Sequence, residues 1–391
     1  MLLEILMALM LICLAFYGYH KDRSIVSPLF IMPAIWGLFL FFYNILPHNL
    51  YPLQQQFLLS LIIWITTFLF AGYLINAPKF SVGNILPDFS LYNKTIFNIY
   101  FLIVIVFAPL ALMLLIQEAL KVGIELFFLK LRMINTGLDE DDTFSLGILT
   151  YIFTFTNIVL LLFTYYKNKV SNFKYYIVLF LQILLGLITL ARTNLIVLIL
   201  SIFIILYFKN LLKRKHYIIG ISLSLLFIFL MTFLREFHET EENENTGFLV
   251  YLFAGMPAYD SIVYKINEQF GSYTFRFFYA VTNALGAKNT VEKTILPYAY
   301  IPKLTNVYTV MFPFFKDFGY KGITFFGFLY GLVFNFIYKY CVNNQAIAII
   351  LYSVFFPMLV LQFFGEYFFS NFSTYLQFLI LLLIPKFIKI P

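Results

Sequence analysis

Two arginines at the ends of long apolar stretches are the residues of this sequence that point most directly to chemistry. Arg192 separates two apolar runs within LLGLITLARTNLIVLILSIF, and Arg235 closes the next run, directly before Glu236. An arginine inside a membrane span is a functional candidate, and its planar guanidinium binds phosphate oxygens in pairs while staying charged. Two arginines in one outer-face cavity would therefore suit a diphosphate. Alternatively, Arg192 reaches the lipid headgroups and Arg235 anchors a helix end at the interface.

Two of the charged residues that follow Arg235 are further candidates for chemistry, Arg276 and Asp317. Arg276, in GSYTFRFFYA, is a third candidate for the same cavity, unless it marks the wet side of an interfacial amphipathic helix. The most distinctive sequence motif combines NVYT, which begins at Asn306, with KDFGYKG, which begins at Lys316. Asp317 in this stretch either caps a helix by accepting backbone N–H groups, or acts as a general base or orients an arginine. Each role predicts that Asp317 lies at the membrane surface.

The elements that must position these residues are membrane helices. Hydrophobic residues make up 62% of the chain, charged residues only 12%, and the mean hydropathy is +0.88. So little polar surface could not cover a globule in water. We therefore expect an all-α polytopic membrane protein with a single membrane domain over 1–391. The net charge of +7 does not indicate a nucleic-acid partner, because in such a protein the distribution of charge between loops matters more.

Eleven apolar runs are candidates for spans of about 20 residues. They lie near 2–19, 25–46, 57–75, 96–117, 146–166, 175–191, 194–208, 217–234, 318–338, 345–364 and 372–390. Lysine and arginine concentrate in alternate loops, with Lys21, Lys79 and Lys339 on the same side. The positive-inside rule then predicts an outer N-terminus, a cytoplasmic C-terminus and a large outer-face loop over 235–317. A loop of about 80 residues is too long for a simple connector, so we expect it to carry function.

The sequence predicts neither a metal site nor a cofactor. Cys13, Cys341 and the four histidines lack ligand spacing. The acidic runs at 139–142 and 236–244 are typical of solvated loops. The first contains Asp-x-Asp, but glycosyltransferases that use this motif need a soluble nucleotide-binding domain. This chain has no such domain, and it has neither a P-loop nor GxGxxG.

On these residues the chain resembles the O-antigen and capsule polymerases of the Wzy type, also called oligosaccharide repeat unit polymerases. The resemblance rests on ARTN at 191–194, on Arg235 before the large loop, and on the loop's final NVYT and DFG motifs. It implies a GT-C-like, metal-independent glycosyltransferase of the bacterial plasma membrane. Such an enzyme transfers a growing glycan from undecaprenyl diphosphate to a fresh lipid-linked repeat unit on the outer face. A separate chain-length regulator protein is a further expected partner.

The resemblance also implies roles for individual residues. Preorganised cations would stabilise the leaving diphosphate, and a general base would take the acceptor's proton, a contribution of roughly 10²–10⁴-fold. Asp317 is the first candidate for the base, followed by His238, Glu236 and Asp260. The predicted catalytic residues are Arg192, Arg235, Asp317 and His238, and the predicted substrate-binding residues are Arg276, Lys303, Asn306, Tyr308, Asp260 and Glu236.

Two other functions stay open on the sequence. An O-antigen ligase would use the same donor but transfer the glycan to lipid A-core, and a membrane arginine with a large outer loop fits both enzymes. A flippase or other transporter for lipid-linked oligosaccharides belongs to a different class. It predicts paired halves, and no such repeat is visible in this chain.

Overall fold

The computed structural model describes residues 2–80, 88–136, 144, 146–189, 192–213, 222, 252–264, 269–293 and 295–388. Within these residues the chain is helical apart from turns and one two-stranded hairpin. Six helices are long and apolar enough to cross a membrane, which makes this a multi-span membrane protein. Ten of the predicted spans coincide with helical segments, and four of these have only 15 to 17 helical residues. The predicted span at 217–234 lies outside the described residues, except for the single position 222.

The helices are α1 Leu2–Asp22, α2 Pro28–Ile45, α3 Gln55–Ile75, α4 Lys94–Leu120, α5 Phe127–Thr136, α6 Tyr151–Tyr165 preceded by the 3-10 turn Gly147–Thr150, α7 Asn172–Ile188, α8 Arg192–Phe208, α9 Gly255–Asp260, α10 Arg276–Ala284, α11 Phe312–Val342, α12 Ala346–Val360 and α13 Phe372–Phe387. Strands β1 Ala299–Tyr300 and β2 Leu304–Thr305 pair antiparallel.

The chain forms two compact units. The first comprises Met1–Gly83, Asn245–Asn343 and Met358–Tyr375. The second comprises Asn84–Glu244, Asn344–Pro357 and Leu376–Pro391. The first unit is therefore assembled from three separate stretches of sequence, and it contains all of the described part of the large predicted loop.

Small residues allow the helices of the first unit to pack closely. Gly327 and Gly331, four residues apart on α11, lie against α3. A Cβ at Gly327 would be 2.4 Å from Thr67 Oγ1, and one at Gly331 would be 2.4 Å from the carbonyl oxygen of Phe68. Small residues at this spacing allow membrane helices to bring their backbones together. The glycines therefore fix the position of α11 against α3.

A buried polar contact joins three elements of the same unit. The side-chain oxygen of Gln362 accepts hydrogen bonds from the indole N–H groups of Trp36 on α2, at 3.0 Å, and Trp64 on α3, at 3.1 Å. Both indoles are fully buried. The backbone oxygen of Gln362 also accepts a bond from the N–H of Val310, at 2.8 Å. Gln362 thus ties the segment before α11 to the helical core.

The second unit packs α4, α6, α7 and α8 together. Asn93 caps α4, because its side-chain oxygen accepts the N–H groups of Thr95 and Ile96, both at 3.1 Å. Asp88 accepts the N–H of Ala346, at 2.9 Å, and so holds the start of α12. These caps explain why the apolar runs of this unit begin as helices where they do.

The described part of the large predicted loop has structure of its own. It contains α9, α10 and the β1–β2 hairpin, none of which the apolar pattern indicates. Helix α11 begins at Phe312, six residues before the predicted span, so the end of the predicted loop is helical. Gly319 interrupts this helix with φ 60° and ψ −148°. That backbone conformation favours glycine and produces a kink shortly after Asp317.

Candidate functional site

The first unit contains a cavity of about 370 Å³, called here the loop cavity. Its described walls come from four parts of the chain: 273–276, Lys293 with 295–296, 306–313 and 364–371. The volume lies within the range of small-ligand sites. Aromatic rings alternate with polar and charged groups in the lining, a composition that suits a polar ligand with flat apolar faces, such as a sugar.

Asp317 holds one wall of the loop cavity in place. Its buried carboxylate accepts the backbone N–H groups of Thr274, at 2.7 Å, and Tyr273, at 3.3 Å. These donors belong to the chain just before α10, and Asp317 itself lies within α11, whereas the predicted capping role placed it at the start of that helix. The bonds fix the backbone next to Arg276, so Asp317 positions cavity residues through hydrogen bonds to the main chain.

Two cations line the loop cavity. Arg276 is the first residue of α10, and its Nε donates a hydrogen bond to the carbonyl oxygen of Glu292, at 2.6 Å. A guanidinium carries five N–H donors in a rigid fork, so Arg276 can bind a ligand anion as well as this carbonyl. Lys293 is the residue directly after Glu292. It lines the loop cavity and is exposed. The lining therefore brings two positive charges near each other on separate segments.

A carboxylate from another part of the chain completes the charged lining. Glu366 is half-buried between α12 and α13. One carboxylate oxygen accepts bonds from the Tyr330 hydroxyl and from the N–H groups of Phe368, at 2.7 Å, and Phe369, at 2.9 Å. The other accepts the N–H of Ser370, at 2.9 Å. Burial raises the pKa of Glu366, against the opposing effect of these hydrogen bonds.

Sequence reasoning did not select Glu366, Lys293 or Tyr273. A signal for Glu366 was present, since it is the only charged residue between Lys339 and Lys386. A single carboxylate in a short loop between apolar runs is notable by that isolation. Lys293 and Tyr273 carry no comparable signal, because the loop around them contains many similar residues.

Asn306 and Tyr308, both predicted to bind substrate, line the loop cavity together with Arg276. Tyr308 is buried, and its hydroxyl donates to the carbonyl oxygen of Pro297, at 2.9 Å. Burial raises the pKa of Tyr308 to about 12, with a smaller contribution from Tyr273. The phenol therefore stays protonated at neutral pH. Its ring lies 4.3 Å from that of Phe312 and forms an aromatic wall.

Other predicted site residues lie elsewhere. Asp260, at the end of α9, accepts the N–H groups of Gln54 and Phe57, both at 2.7 Å, and so caps the N-terminus of α3. Burial raises its pKa to about 6, against the effect of these two bonds. Lys303 lies in the turn between β1 and β2. Neither residue is among the described residues that line the loop cavity.

The remaining candidates fall in or near parts of the chain without a described structure. Arg192 is the first residue of α8, in the second unit. Arg235, Glu236 and His238 lie outside the described residues, as do both acidic runs. Among the residues that the structure does describe, no three His, Cys, Asp or Glu side chains form a group that could hold a metal ion.

Comparison with known protein families gives one match. A family model described as "Putative O-antigen polymerase" matches residues 24–363, which is most of the chain. The chain belongs to this family. The resemblance inferred from the sequence motifs is thereby confirmed. Searches of curated proteins and of solved structures found no match.

The match to the O-antigen polymerase family includes three of the four segments that form the loop cavity. The fourth segment, 364–371, begins directly after the matched region and contains Glu366. The matched range thus contains the aromatic wall and both cations, and it ends three residues before Glu366.

Proposed function

We propose that this protein polymerises lipid-linked oligosaccharide repeat units into a surface polysaccharide, an O-antigen or a capsule, and that the loop cavity is where the glycosyl transfer takes place. Membership of the O-antigen polymerase family implies repeat-unit polymerisation. The observation that carries the choice of site is the lining of the loop cavity, which combines Arg276 and Lys293 with Glu366 and an aromatic wall.

The proposed donor is an oligosaccharide on undecaprenyl diphosphate at the outer face of the bacterial plasma membrane. The acceptor is the non-reducing end of a second lipid-linked unit. An acceptor hydroxyl attacks the anomeric carbon of the donor and forms the new C–O bond. The bond from that carbon to the diphosphate oxygen breaks, and its electron pair leaves with the lipid diphosphate. The acceptor's proton passes to a general base.

The cavity residues suit these steps. Arg276 and Lys293 bind the diphosphate and stabilise the charge that builds on its leaving oxygen, because cations held in place beforehand act directly where that charge develops. Tyr308 and Phe312 offer ring faces to the sugars. Glu366 takes the acceptor's proton, because a carboxylate with a raised pKa is better matched to proton transfer near neutral pH. Its second oxygen accepts one protein hydrogen bond and retains a lone pair.

The roles predicted from the sequence for the other candidate residues are also part of the proposal. As an alternative to the loop cavity, Arg192 and Arg235 keep their predicted role as cations for the diphosphate, with His238 and Glu236 as the bases. Asp317 is proposed as a positioning residue through its bonds to 273–274. The arrangement of eleven spans with an outer N-terminus, and a reaction that needs no metal, are also proposed.

The test is complementation of a strain deleted for this gene, with glycan length measured on a gel and protein abundance measured in the membrane. Arg276→Gln and Glu366→Gln should be inserted normally but leave single repeat units on the final acceptor. Lys288→Gln is the matched control, because Lys288 is exposed in the same loop and does not line the loop cavity. It should give full-length chains.

The same experiment separates the alternatives. If deletion leaves lipid-linked polymer instead of single repeat units on the final acceptor, the protein is a ligase. If lipid-linked units accumulate inside the cell, it is a flippase. If Arg276→Gln and Glu366→Gln make long chains at normal abundance, the loop cavity is not the reaction site. Arg192→Ala and Arg235→Ala then test whether the site is built around those arginines.

A further inference from the structure

A second cavity in the first unit has a different chemical character. It measures about 510 Å³ and is lined by Lys21, Asn76, Ala77, Pro78, Lys79, Lys339 and Asn343, and is called here the lysine cavity. Three lysines from three separate stretches of chain thus meet around one space. The sequence pattern assigns each of these stretches to the cytoplasmic face. We propose that the lysine cavity binds the phosphate headgroup of an anionic phospholipid from the inner leaflet.

The three lysines lie at or just after the C-termini of helices. Lys21 is in the last turn of α1, Lys79 follows α3 by four residues, and Lys339 is in the last turn of α11. A helix C-terminus carries a partial negative charge that favours nearby cations. Lys339 uses this directly, because its ammonium donates to the carbonyl oxygen of Ile75 at 3.3 Å. The fold therefore places all three lysines around the cavity, and a hydrogen bond holds the Lys339 ammonium in position.

No full negative charge lines the lysine cavity among its described residues. The nearest carboxylate in sequence, Asp22, is fully buried and accepts a hydrogen bond from the hydroxyl of Ser27. The Lys21 ammonium lies over the ring of Tyr73, 4.3 Å from its centroid. The Asp22 carboxylate also attracts Lys21 electrostatically. One carboxylate, a ring face and carbonyl oxygens offset only part of three positive charges, so an anionic ligand has an electrostatic gain here.

The surroundings select a lipid over a soluble phosphate. Large apolar side chains are exposed near the ends of α1, α3 and α11, three to nine residues from the nearest of the three lysines in the sequence: Tyr17, Phe70, Leu74 and Phe336. Exposed apolar side chains at a helix end face acyl chains in a membrane protein. A phosphate held by the lysines would therefore have its acyl chains alongside these residues. Basic pockets at the cytoplasmic ends of membrane helices bind anionic headgroups in this manner.

The direct test measures lipid binding by the full-length protein in detergent. Native mass spectrometry would count bound molecules of phosphatidylglycerol and give their dissociation constant, with phosphatidylcholine as the zwitterionic comparison and inorganic phosphate as competitor. Each lysine near an anionic headgroup contributes about a fivefold gain in affinity. Lys79→Gln should therefore weaken phosphatidylglycerol about fivefold. The triple variant Lys21→Gln, Lys79→Gln, Lys339→Gln should weaken it on the order of a hundredfold.

The matched control removes the same number of charges elsewhere, by Lys121→Gln, Lys288→Gln and Lys321→Gln. All three lysines are exposed and lie outside the lysine cavity. This control should bind phosphatidylglycerol as the wild type does. Equal weakening by both triple variants would show that net charge attracts the lipid, and would overturn the proposal. Competition by millimolar inorganic phosphate, or equal binding of phosphatidylcholine, would also overturn it. Because the lysine cavity shares no residue with the loop cavity, this result is independent of the polymerase tests.

Discussion

Replacing Asp317 with asparagine tests whether this residue acts through the main chain. The asparagine side chain would have one acceptor oxygen where the carboxylate has two, and its amide NH₂ would face one of the two N–H donors. The Thr274 donor is buried and the Tyr273 donor is half-buried. The bond to Thr274, at 2.7 Å, would survive as a neutral one. The bond to Tyr273, at 3.3 Å, would be lost. A charge-assisted bond is worth about twice a neutral one, and an unpaired buried N–H costs about 1–3 kcal/mol.

The expected loss is therefore about 3 kcal/mol of stability, concentrated where the chain enters α10. The assay is thermal unfolding of the purified protein in detergent, followed by glycan length in the complemented strain. Asp317→Asn should unfold at a lower temperature and make shorter chains, whereas Lys321→Gln, exposed one turn later on α11, should match the wild type. The reasoning fails if Asp317→Asn unfolds like the wild type. Loss of polymer at full stability would indicate a direct catalytic role.

Three further predictions concern the first unit. Gln362→Leu should cost about 2–4 kcal/mol, because it leaves two buried indole N–H groups unpaired. Gln362→Met keeps the side-chain length but offers only a weak sulfur acceptor, so an equal loss in the same unfolding assay would assign the effect to the hydrogen bonds, and a loss with leucine alone would assign it to packing. Gly331→Leu should reduce the folded protein in the membrane severely, because even its Cβ would be 2.4 Å from a carbonyl oxygen on α3; leucine at exposed Ala280 is the control. The pKa of Asp260, about 6 when folded, exceeds the unfolded value near 4, so its contribution to stability should fall by about 1–2 kcal/mol between pH 4 and pH 6. Asp260→Asn should flatten that slope in unfolding curves measured across this range.

Apolar length predicted the helices well, because a membrane helix needs little beyond a continuous hydrophobic run. The run at 96–117 appears as α4, Lys94–Leu120. The start of α11 was harder, since PFFKDFGY contains two charges and a glycine and does not look like part of a span. The helix there is stabilised by contacts with distant residues, and the kink at Gly319 depends on a backbone torsion. Local sequence does not encode either feature strongly.

The candidate site was partly predictable for a similar reason. Arg276, Asn306 and Tyr308 lie in distinctive sequence motifs, and all three line the loop cavity. Asp260 also looked like a site residue, but its partners are the N–H groups at the start of α3, some 200 positions earlier. Glu366 was not selected, because the sequence does not show that its carboxylate meets the Tyr330 hydroxyl and the N–H groups of the turn that follows it. Pairings across such distances follow from the tertiary fold alone.

The close packing of α11 on α3 also has a consequence for how the protein is made. Helix α3 ends at Ile75 and α11 at Val342, and at about 5–20 residues per second the ribosome needs roughly 15–50 s to synthesise the intervening chain. During that time the strip of α3 around Phe68 lacks the helix that packs on it in the finished protein. Lipid or the insertion machinery must cover this strip until α11 enters the membrane. The order of insertion thus leaves the loop cavity unformed until translation is nearly complete.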